Sequence, residues 1–317
     1  MWNSFLGAMS PSTCPICGSA AFTLGGAAID QLVTQQSFGL VDCSKCGFRL
    51  TSPRPGDDEI GMYYCSEEYH SHNSKQRSTV GAVYRVLRRF AISAKSSLIR
   101  RLRPLGPVLD LGCGTGELLA ELNQHGLQVV GVEPSEAARA FAVNTHGLRV
   151  FPGLGSVPRE TRFGLIMLWH VLEHIPDPSL TLSQINKLLA DGGSLLIAVP
   201  NRGSFDCEYY GPNWAAWDVP RHLLHFRTED MLHLLSRHGF HIERMKRMWL
   251  DAFYIALLSE RHQKRSSLLA WPIAAAIGLV SNLAALLNLR PSSSTLFIAT
   301  KRGPGDASPV QSPELTK

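Results

Sequence analysis

The stretch that most constrains this chain is Val108-Leu109-Asp110-Leu111-Gly112-Cys113-Gly114-Thr115-Gly116. Its first four residues read as a short buried strand. The three glycines let the backbone turn tightly and approach a ligand. Residues 117–125 continue as a helix with Leu118, Leu119 and Leu122 on its apolar face. Strand, glycine turn and helix in that order form a nucleotide-type binding unit. A second apolar run, Gln128 to Val132, ends at Glu133, 23 residues after Asp110. A carboxylate at that strand end can accept both hydroxyl hydrogens of a ribose. The ligand need not carry a pyrophosphate. A dinucleotide fingerprint needs glycine where Glu117 stands, and a phosphate-binding loop needs a Gly-Lys-Ser/Thr ending that is absent here.

Residues 108–133 resemble the signature of class I S-adenosylmethionine-dependent methyltransferases. The resemblance implies an α/β fold, a Rossmann-like sheet with an antiparallel final strand. It also implies a sulfonium cofactor over Gly112, Gly114 and Gly116, with Asp110 positioning its amino-acid end and Glu133 its ribose. The alternative is a degenerate glycine turn in another α/β domain. Phe163 to Trp169 reads as a further buried strand, followed by His170-Val171-Leu172-Glu173-His174-Ile175-Pro176-Asp177-Pro178. That segment resembles the fourth-strand end in the ubiquinone-biosynthesis-like, small-molecule branch of the superfamily. The carboxyl-end rule for parallel sheets brings Trp169 and His170 to the cofactor crevice. His174 is a candidate base because imidazole titrates near neutral pH, although packing or capping is the commoner role. The family often has an acidic residue after the third strand, contacting adenine. This chain has Gly153, Leu154, Gly155 and Ser156 there, which leaves adenine recognition open.

Ahead of this core stand Cys14-Pro-Ile-Cys17-Gly and Cys43-Ser-Lys-Cys46-Gly, with 25 residues between the pairs. Four soft thiolates can enclose one Zn²⁺ tetrahedrally, and a closed set leaves no position for substrate, so the expected role is structural. The pattern resembles a zinc ribbon, with residues 28–42 as a hairpin between the knuckles. Seven cysteines in 317 residues do not form a disulfide framework, and two unrelated thiol pairs are the alternative reading. The paired thiols point to a reducing compartment, hence a cytoplasmic protein. Residues 1–10 lack the basic leader and long apolar core of a secretory signal.

The chain divides into a zinc-ribbon module (1–52), a linker and basic helical cap (53–104), a methyltransferase domain (105–302) and an unstructured tail (303–317). In the cap, Tyr64 and Tyr69 are candidates to cover the cofactor, as tyrosine-rich segments do in many small-molecule members of the resembled family; ordinary interdomain packing is the alternative. Cys65 reads as a buried thiol. Residues 75–103 hold nine Lys or Arg and no acidic residue, with Val83, Val86, Leu87 and Phe90 at helical spacing. A solvated basic face over an apolar underside is the preferred reading. Nucleic acid is the less favoured partner because few aromatics interleave with the charges, and a net charge of +5 establishes none.

Within the domain, residues 201–230 are the expected substrate loop. Tyr209, Tyr210, Trp214 and Trp217 offer apolar surface. Asp218-Val-Pro-Arg221-His222 adds charge and imidazole, with His222 a second candidate catalytic group. Asp218 can orient His222 or pair with Arg221, and an arginine can hold a carboxylate or phosphate. Residues 251–294 read as an apolar helical insertion between the last two strands. Its run 268–289 carries no charged side chain and is long enough to span a bilayer. A single crossing would strand the last sheet element, so a homodimer face, protein packing or peripheral membrane contact fits better. The resulting expectation is methyl transfer from S-adenosylmethionine to a small-molecule, sugar-type or lipid-linked acceptor. RNA methylation and a catalytically inactive zinc-ribbon binding protein are the competing readings.

Overall fold

The computed structural model describes residues 13–56, 59–64, 79–302 and 315–316, with backbone alone for 79–87 and 315–316. Tyr69 and Cys65 lie outside the described residues, as do residues 1–12 and 303–314.

The central sheet is built from runs that are apolar on both faces, as a sheet covered by helices on both sides requires. Its parallel part comprises β4 (Val108–Leu111), β5 (Val129–Val132), β6 (Val150–Phe151), β7 (Phe163–Trp169) and β8 (Leu189–Pro200). β10 (Phe240–Arg247) and β11 (Ser294–Lys301) complete it. β11 runs antiparallel between β10 and β8. A two-residue strand β12 (Leu315–Thr316) pairs with the outer edge of β10. The strand order is β12-β10-β11-β8-β7-β4-β5-β6. The chain moves outward from β4 through β5 to β6 and then returns to β7 on the other side of β4. The crevice at the carboxyl ends of β4 and β7 is therefore the switch point where an open α/β sheet binds ligands, with the carboxyl end of β5 next to it. This is the expected Rossmann-like sheet with its antiparallel final strand.

Helices join these strands. α1 (Thr79–Arg101) precedes β4, α2 (Glu117–Gln124) follows the glycine turn, and α3 (Glu136–His146) follows β5. Ser135 caps α3 by accepting from the Ala138 amide, and Gly147 closes it at φ 63°. α4 (Pro178–Leu188) starts on Asp177, whose side chain accepts from the Leu180 amide. Glu173 and His174 sit ahead of it in a separate 3-10 turn, Leu172–His174. Phe90, expected on the apolar underside of α1, is 63% exposed. Among the described side chains of α1, Ser96 and Ile99 are buried, so its carboxyl-terminal half contacts the core.

A second sheet, β1 (Phe22–Ile29), β2 (Ser37–Cys43), β3 (Arg49–Ser52) and β9 (Leu224–His225), has that order. The first three strands belong to the cysteine module, whereas β9 comes from segment 201–230. Arg49 and Leu50 pair with His225 and Leu224. The module and the expected substrate loop thus share backbone hydrogen bonds. Their joint is locked by Arg221, which is 1% exposed. Its guanidinium donates to Asp30 Oδ1 at 3.0 Å, Asp218 Oδ1 at 2.6 Å and the Tyr63 carbonyl at 3.0 Å.

Segment 201–230 also contains α5 (Phe205–Tyr210), and α6 (Thr228–Arg237) follows β9. The apolar insertion is a pair of helices, α7 (Trp249–His262) and α8 (Ser267–Leu286).

Candidate cofactor and acceptor site

The glycine turn crosses the carboxyl end of β4. Gly112, Gly114 and Gly116 have φ of 76°, 55° and 80°, a region glycine adopts without steric cost. Two of them are also required by packing. A Cβ on Gly112 would lie 2.5 Å from Val171 Cγ2, and one on Gly116 2.6 Å from Leu148 Cδ1. At Gly114 a Cβ would meet nothing within 4 Å, so the turn faces open space there. Glu133 follows β5 and holds the turn. Its Oε2 accepts from the Gly114 amide and its Oε1 from the Ser135 amide, both at 2.9 Å. Each carboxylate oxygen retains a lone pair for a further donor.

Asp110 is buried beneath the turn, where burial raises its carboxyl to about 7 and the Lys95 ammonium partly offsets that rise. Lys95, on α1, also lies over the Trp169 ring, its Nζ 4.4 Å from the centroid. Burial holds this lysine below its ordinary value. Trp169 Nε1 is buried with no hydrogen-bond partner among the described residues. An unpartnered donor, an open glycine and two carboxylates at adjacent strand ends suit a ligand with a cationic amino-acid end and a ribose. S-adenosylmethionine fits that donor set. The place after β6 is taken by a 3-10 turn, Leu154–Ser156, with Leu154 packed partly against the core.

His170 sits at the end of β7 with φ 55°. Its Nδ1 lies 3.4 Å from Glu173 Oε1 and its Nε2 3.1 Å from Asp251 Oδ2. Against the cost of burial, these two carboxylates raise His170 to about 10. It is therefore an imidazolium at neutral pH, and its ring nitrogens are engaged by protein groups.

His174 and His222 form a separate pair, their rings edge-to-face at 4.6 Å. His174 Nδ1 lies 3.0 Å from the Arg221 carbonyl and His222 Nδ1 2.8 Å from the Ala216 carbonyl. A carbonyl can only accept, so each Nδ1 carries a proton. Tyr64 Oη also approaches His174 Nδ1, at 3.1 Å. Burial, with the neighbouring His222, lowers His174 to about 4, which makes it a neutral and weak base. His222 Nε2 lies 3.8 Å from Asp218 Oδ2. Glu173 offers buried carboxylate oxygens to the same cluster, and the ligand atoms of Glu173, His174 and His222 fall within 4.8 Å of one another. That donor set can hold a cation or relay a proton. A narrow crevice beside His222, too tight for a molecule the size of water, is lined also by Pro200, Arg202, Trp214 and Phe226.

In the amino-terminal module the four cysteine sulfurs lie within 4.8 Å of one another. Cys14 Sγ is 3.6 Å from Cys46 Sγ, and Cys17 Sγ is 3.5 Å from Cys43 Sγ. Four thiolates about 2.3 Å from a tetrahedral Zn²⁺ would stand about 3.8 Å apart, so the donor set is consistent with a small zinc-binding module. Each knuckle closes with the amide of Gly18 or Gly47 donating to the carbonyl of Cys14 or Cys43, at 2.8 Å. Arg227 donates to the Cys46 carbonyl at 3.2 Å. Arg202 and Arg237 reach the Gly47 and Ile16 carbonyls. Three arginines of the larger domain therefore grip the cysteine knuckles.

Sequence reasoning did not single out Lys95, Asp251 or Asp30. Lys95 precedes the buried Ile99 by four residues, one helical turn, and that spacing is the signal that could have found it. Asp251 carries no local signal, because its partner His170 lies far along the chain. Asp30 holds the turn that follows it, accepting from the Leu32, Val33 and Thr34 amides, and nothing in that turn points to Arg221.

The sheet order, the glycine turn and the two strand-end carboxylates define a class I methyltransferase fold. The family described as "Methyltransferase domain" matches residues 85–244, half of the chain, and the chain belongs to it. It is 33% identical over 135 residues to the ubiquinone biosynthesis O-methyltransferase of Bradyrhizobium diazoefficiens, covering 39% of this chain and 53% of that protein. The corresponding protein of Rhodopseudomonas palustris strain BisB5 is 34% identical over 145 residues, covering 42% and 55%. The chain spans about half the length of the curated relatives it matches. Among solved structures, the magnesium protoporphyrin IX methyltransferase of Synechocystis PCC 6803 with bound SAH aligns with a TM-score of 0.49 and 16% identity, over 75% of this chain and 96% of that one.

Proposed function

We propose that the protein transfers the methyl group of S-adenosylmethionine to a small-molecule acceptor. The observation that carries this reading is the open Gly114 turn set between Asp110 and Glu133 at the ends of adjacent parallel strands. When bound, the sulfonium supplies an electrophilic methyl group. The chain's own residues bind and orient. Asp110 holds the amino-acid end, the glycine turn supplies close backbone approach, and Glu133 turns its spare lone pairs to the ribose hydroxyls. Lys95 lies over the Trp169 ring and near Asp110. Trp169 Nε1 has a donor to give, and Lys95 balances the charge of Asp110 and the cofactor carboxylate. His170, fixed as an imidazolium by Glu173 and Asp251, shapes the crevice rather than moving protons.

Acceptor binding falls to segment 201–230. His222 is the candidate general base, because burial disfavours protonation of His174. A base is needed only where the acceptor must lose a proton. Orientation of the nucleophile in line with the methyl supplies much of the rate. Arg221 is committed to Asp30 and Asp218, so its work is to hold the loop on the cysteine module. Cys14, Cys17, Cys43 and Cys46 hold one structural Zn²⁺, which keeps the module rigid where it pairs with β9. The relatives named as ubiquinone biosynthesis O-methyltransferases support an O-nucleophile on a small or lipid-linked acceptor.

Incubation of the full chain with methyl-labelled S-adenosylmethionine and fractionated cell extract tests this reading. Label is expected in the small-molecule or lipid fraction. Label confined to RNA, or donor binding without transfer to any fraction, overturns it.

A further inference from the structure

α8 is built inside out. The side it turns toward the protein carries small and polar residues, Ala270, Ala274, Gly278, Ser281, Asn282 and Ala285, all buried. A Cβ on Gly278 would lie 2.5 Å from Phe253 Cδ1, so α7 and α8 approach closely through that position. Most of its large apolar residues point outward, although Ile277 packs against the core. Leu268 is 89% exposed, Trp271 58% and Leu279 63%. A helix made stable by water puts its large apolar residues inward; this one reserves them for an apolar surrounding.

The inner side is fixed by buried polar bonds to the acceptor segment. Ser281 Oγ donates to Asp206 Oδ1 at 2.8 Å, Tyr210 Oη to Glu260 Oε1 at 2.9 Å, and the Ala215 amide to Ser259 Oγ at 2.8 Å. α8 is long and apolar enough to cross a membrane, but these bonds hold the hairpin to the domain, and its two ends enter the adjacent antiparallel strands β10 and β11. Only the outer face is free to meet lipid.

Charge decides which apolar partner fits. The last turn of α7 and the connection to α8 bear Arg261, Lys264 and Arg265, next to the exposed Leu268, Leu269 and Trp271. Arg265 is paired with Glu260. Residues 261–289 contain no acidic side chain. A two-fold contact between copies would set this patch against itself, with nothing in it to receive Arg261 and Lys264. A layer of anionic headgroups receives both, while the leucines and the tryptophan enter the acyl boundary.

We propose that the outer face of the α7–α8 hairpin docks, without crossing, on an anionic lipid bilayer. The test is co-sedimentation of the zinc-loaded full chain with vesicles of phosphatidylcholine alone or mixed with phosphatidylglycerol. Binding to the anionic vesicles is expected, at least about tenfold tighter than to neutral ones and weakened by salt. Leu268→Ser with Trp271→Ser should weaken it by at least about tenfold. Arg261→Gln with Lys264→Gln should weaken it on the order of tenfold and flatten the salt dependence. Both pairs are exposed, and unchanged thermal melting and S-adenosylmethionine titration will show that fold and cofactor site are intact. Failure to bind anionic vesicles overturns the proposal, as does binding that neither pair alters. A stable lipid-free dimer lost in Leu268→Ser/Trp271→Ser also overturns it and assigns the face to self-association.

Discussion

His170 Nε2 lies 3.1 Å from Asp251 Oδ2, which ties the end of β7 to the first turn of the apolar hairpin. With Glu173 on its other nitrogen, the ring is held charged. The ordinary histidine value is about 6.5, and the folded value is about 10. Between those values the folded state binds more protons than the unfolded one, so stability falls as pH rises. The stabilisation is complete below about pH 6.5 and is lost through about pH 10. Asp251→Asn removes one carboxylate and should shift that loss to lower pH. Thermal melting from neutral to alkaline pH measures it, and coincident profiles for the two proteins would show that the pair does not hold the proton.

Asp110 gives a pH dependence of the opposite sense for binding. Burial raises its carboxyl to about 7, while a ligand ammonium favours the carboxylate. Affinity for S-adenosylmethionine should therefore rise between about pH 5.5 and 7.5, and Asp110→Asn should flatten the rise. Titrations across that range check it. A flat profile for the unaltered protein would remove Asp110 from the cofactor's amino-acid end.

The three glycines should separate by phenotype. Gly112→Ala and Gly116→Ala meet Val171 and Leu148 and also strain a positive φ, so each should cost about 1–3 kcal/mol in urea unfolding. Gly114→Ala has room and should cost about 1 kcal/mol, yet weaken cofactor binding. Gly114→Ala binding as well as the unaltered chain would move the ligand away from this turn.

Arg221 and Arg49 offer a contrast between buried and part-exposed ion pairs. Arg221→Met leaves Asp30 buried without its countercharge and should cost about 3 kcal/mol or more. Arg49 pairs with Asp42 at 2.7 Å with both side chains partly in water, and Arg49→Ala should cost about 1 kcal/mol. Denaturant midpoints measure both. Equal losses would mean that Arg221 does not carry the joint between module and loop.

Zinc analysis addresses the cysteine module. One Zn²⁺ per chain is expected, lost or sharply weakened in Cys43→Ser together with thermal stability. Unchanged metal content in that variant would reject the four-cysteine set.

What was legible in the sequence is what occupies contiguous residues. The glycine turn, the strand Phe163–Trp169 and the two cysteine knuckles each carry their signal within a few positions, because local sterics and thiolate chemistry dictate them. Glu133 was legible because a β-α-β unit fixes its distance from Asp110. The Arg221–Asp218 pair is legible as one of two readings of a short segment, but the second partner, Asp30, is 191 positions away, and only the fold shows that both carboxylates commit the guanidinium. Lys95 was submerged in a basic helix that reads as solvated, and only the packing of α1 on the sheet brings it to Trp169. Asp251 lay inside an insertion whose apolar run drew attention elsewhere. The large outward residues of α8 were legible as hydrophobic, but not as exposed, since periodicity does not say which side of a uniformly apolar helix faces the core.

The central claim is that the crevice over Asp110 and Glu133 binds S-adenosylmethionine. Calorimetric titration of the zinc-loaded full chain tests it most directly. Saturable binding at one site per chain is expected, weakened at least about tenfold by Glu133→Ala, which removes the charged acceptor for the ribose hydroxyls. Absence of saturable binding by the folded protein, or equal affinity in Glu133→Ala, would contradict it.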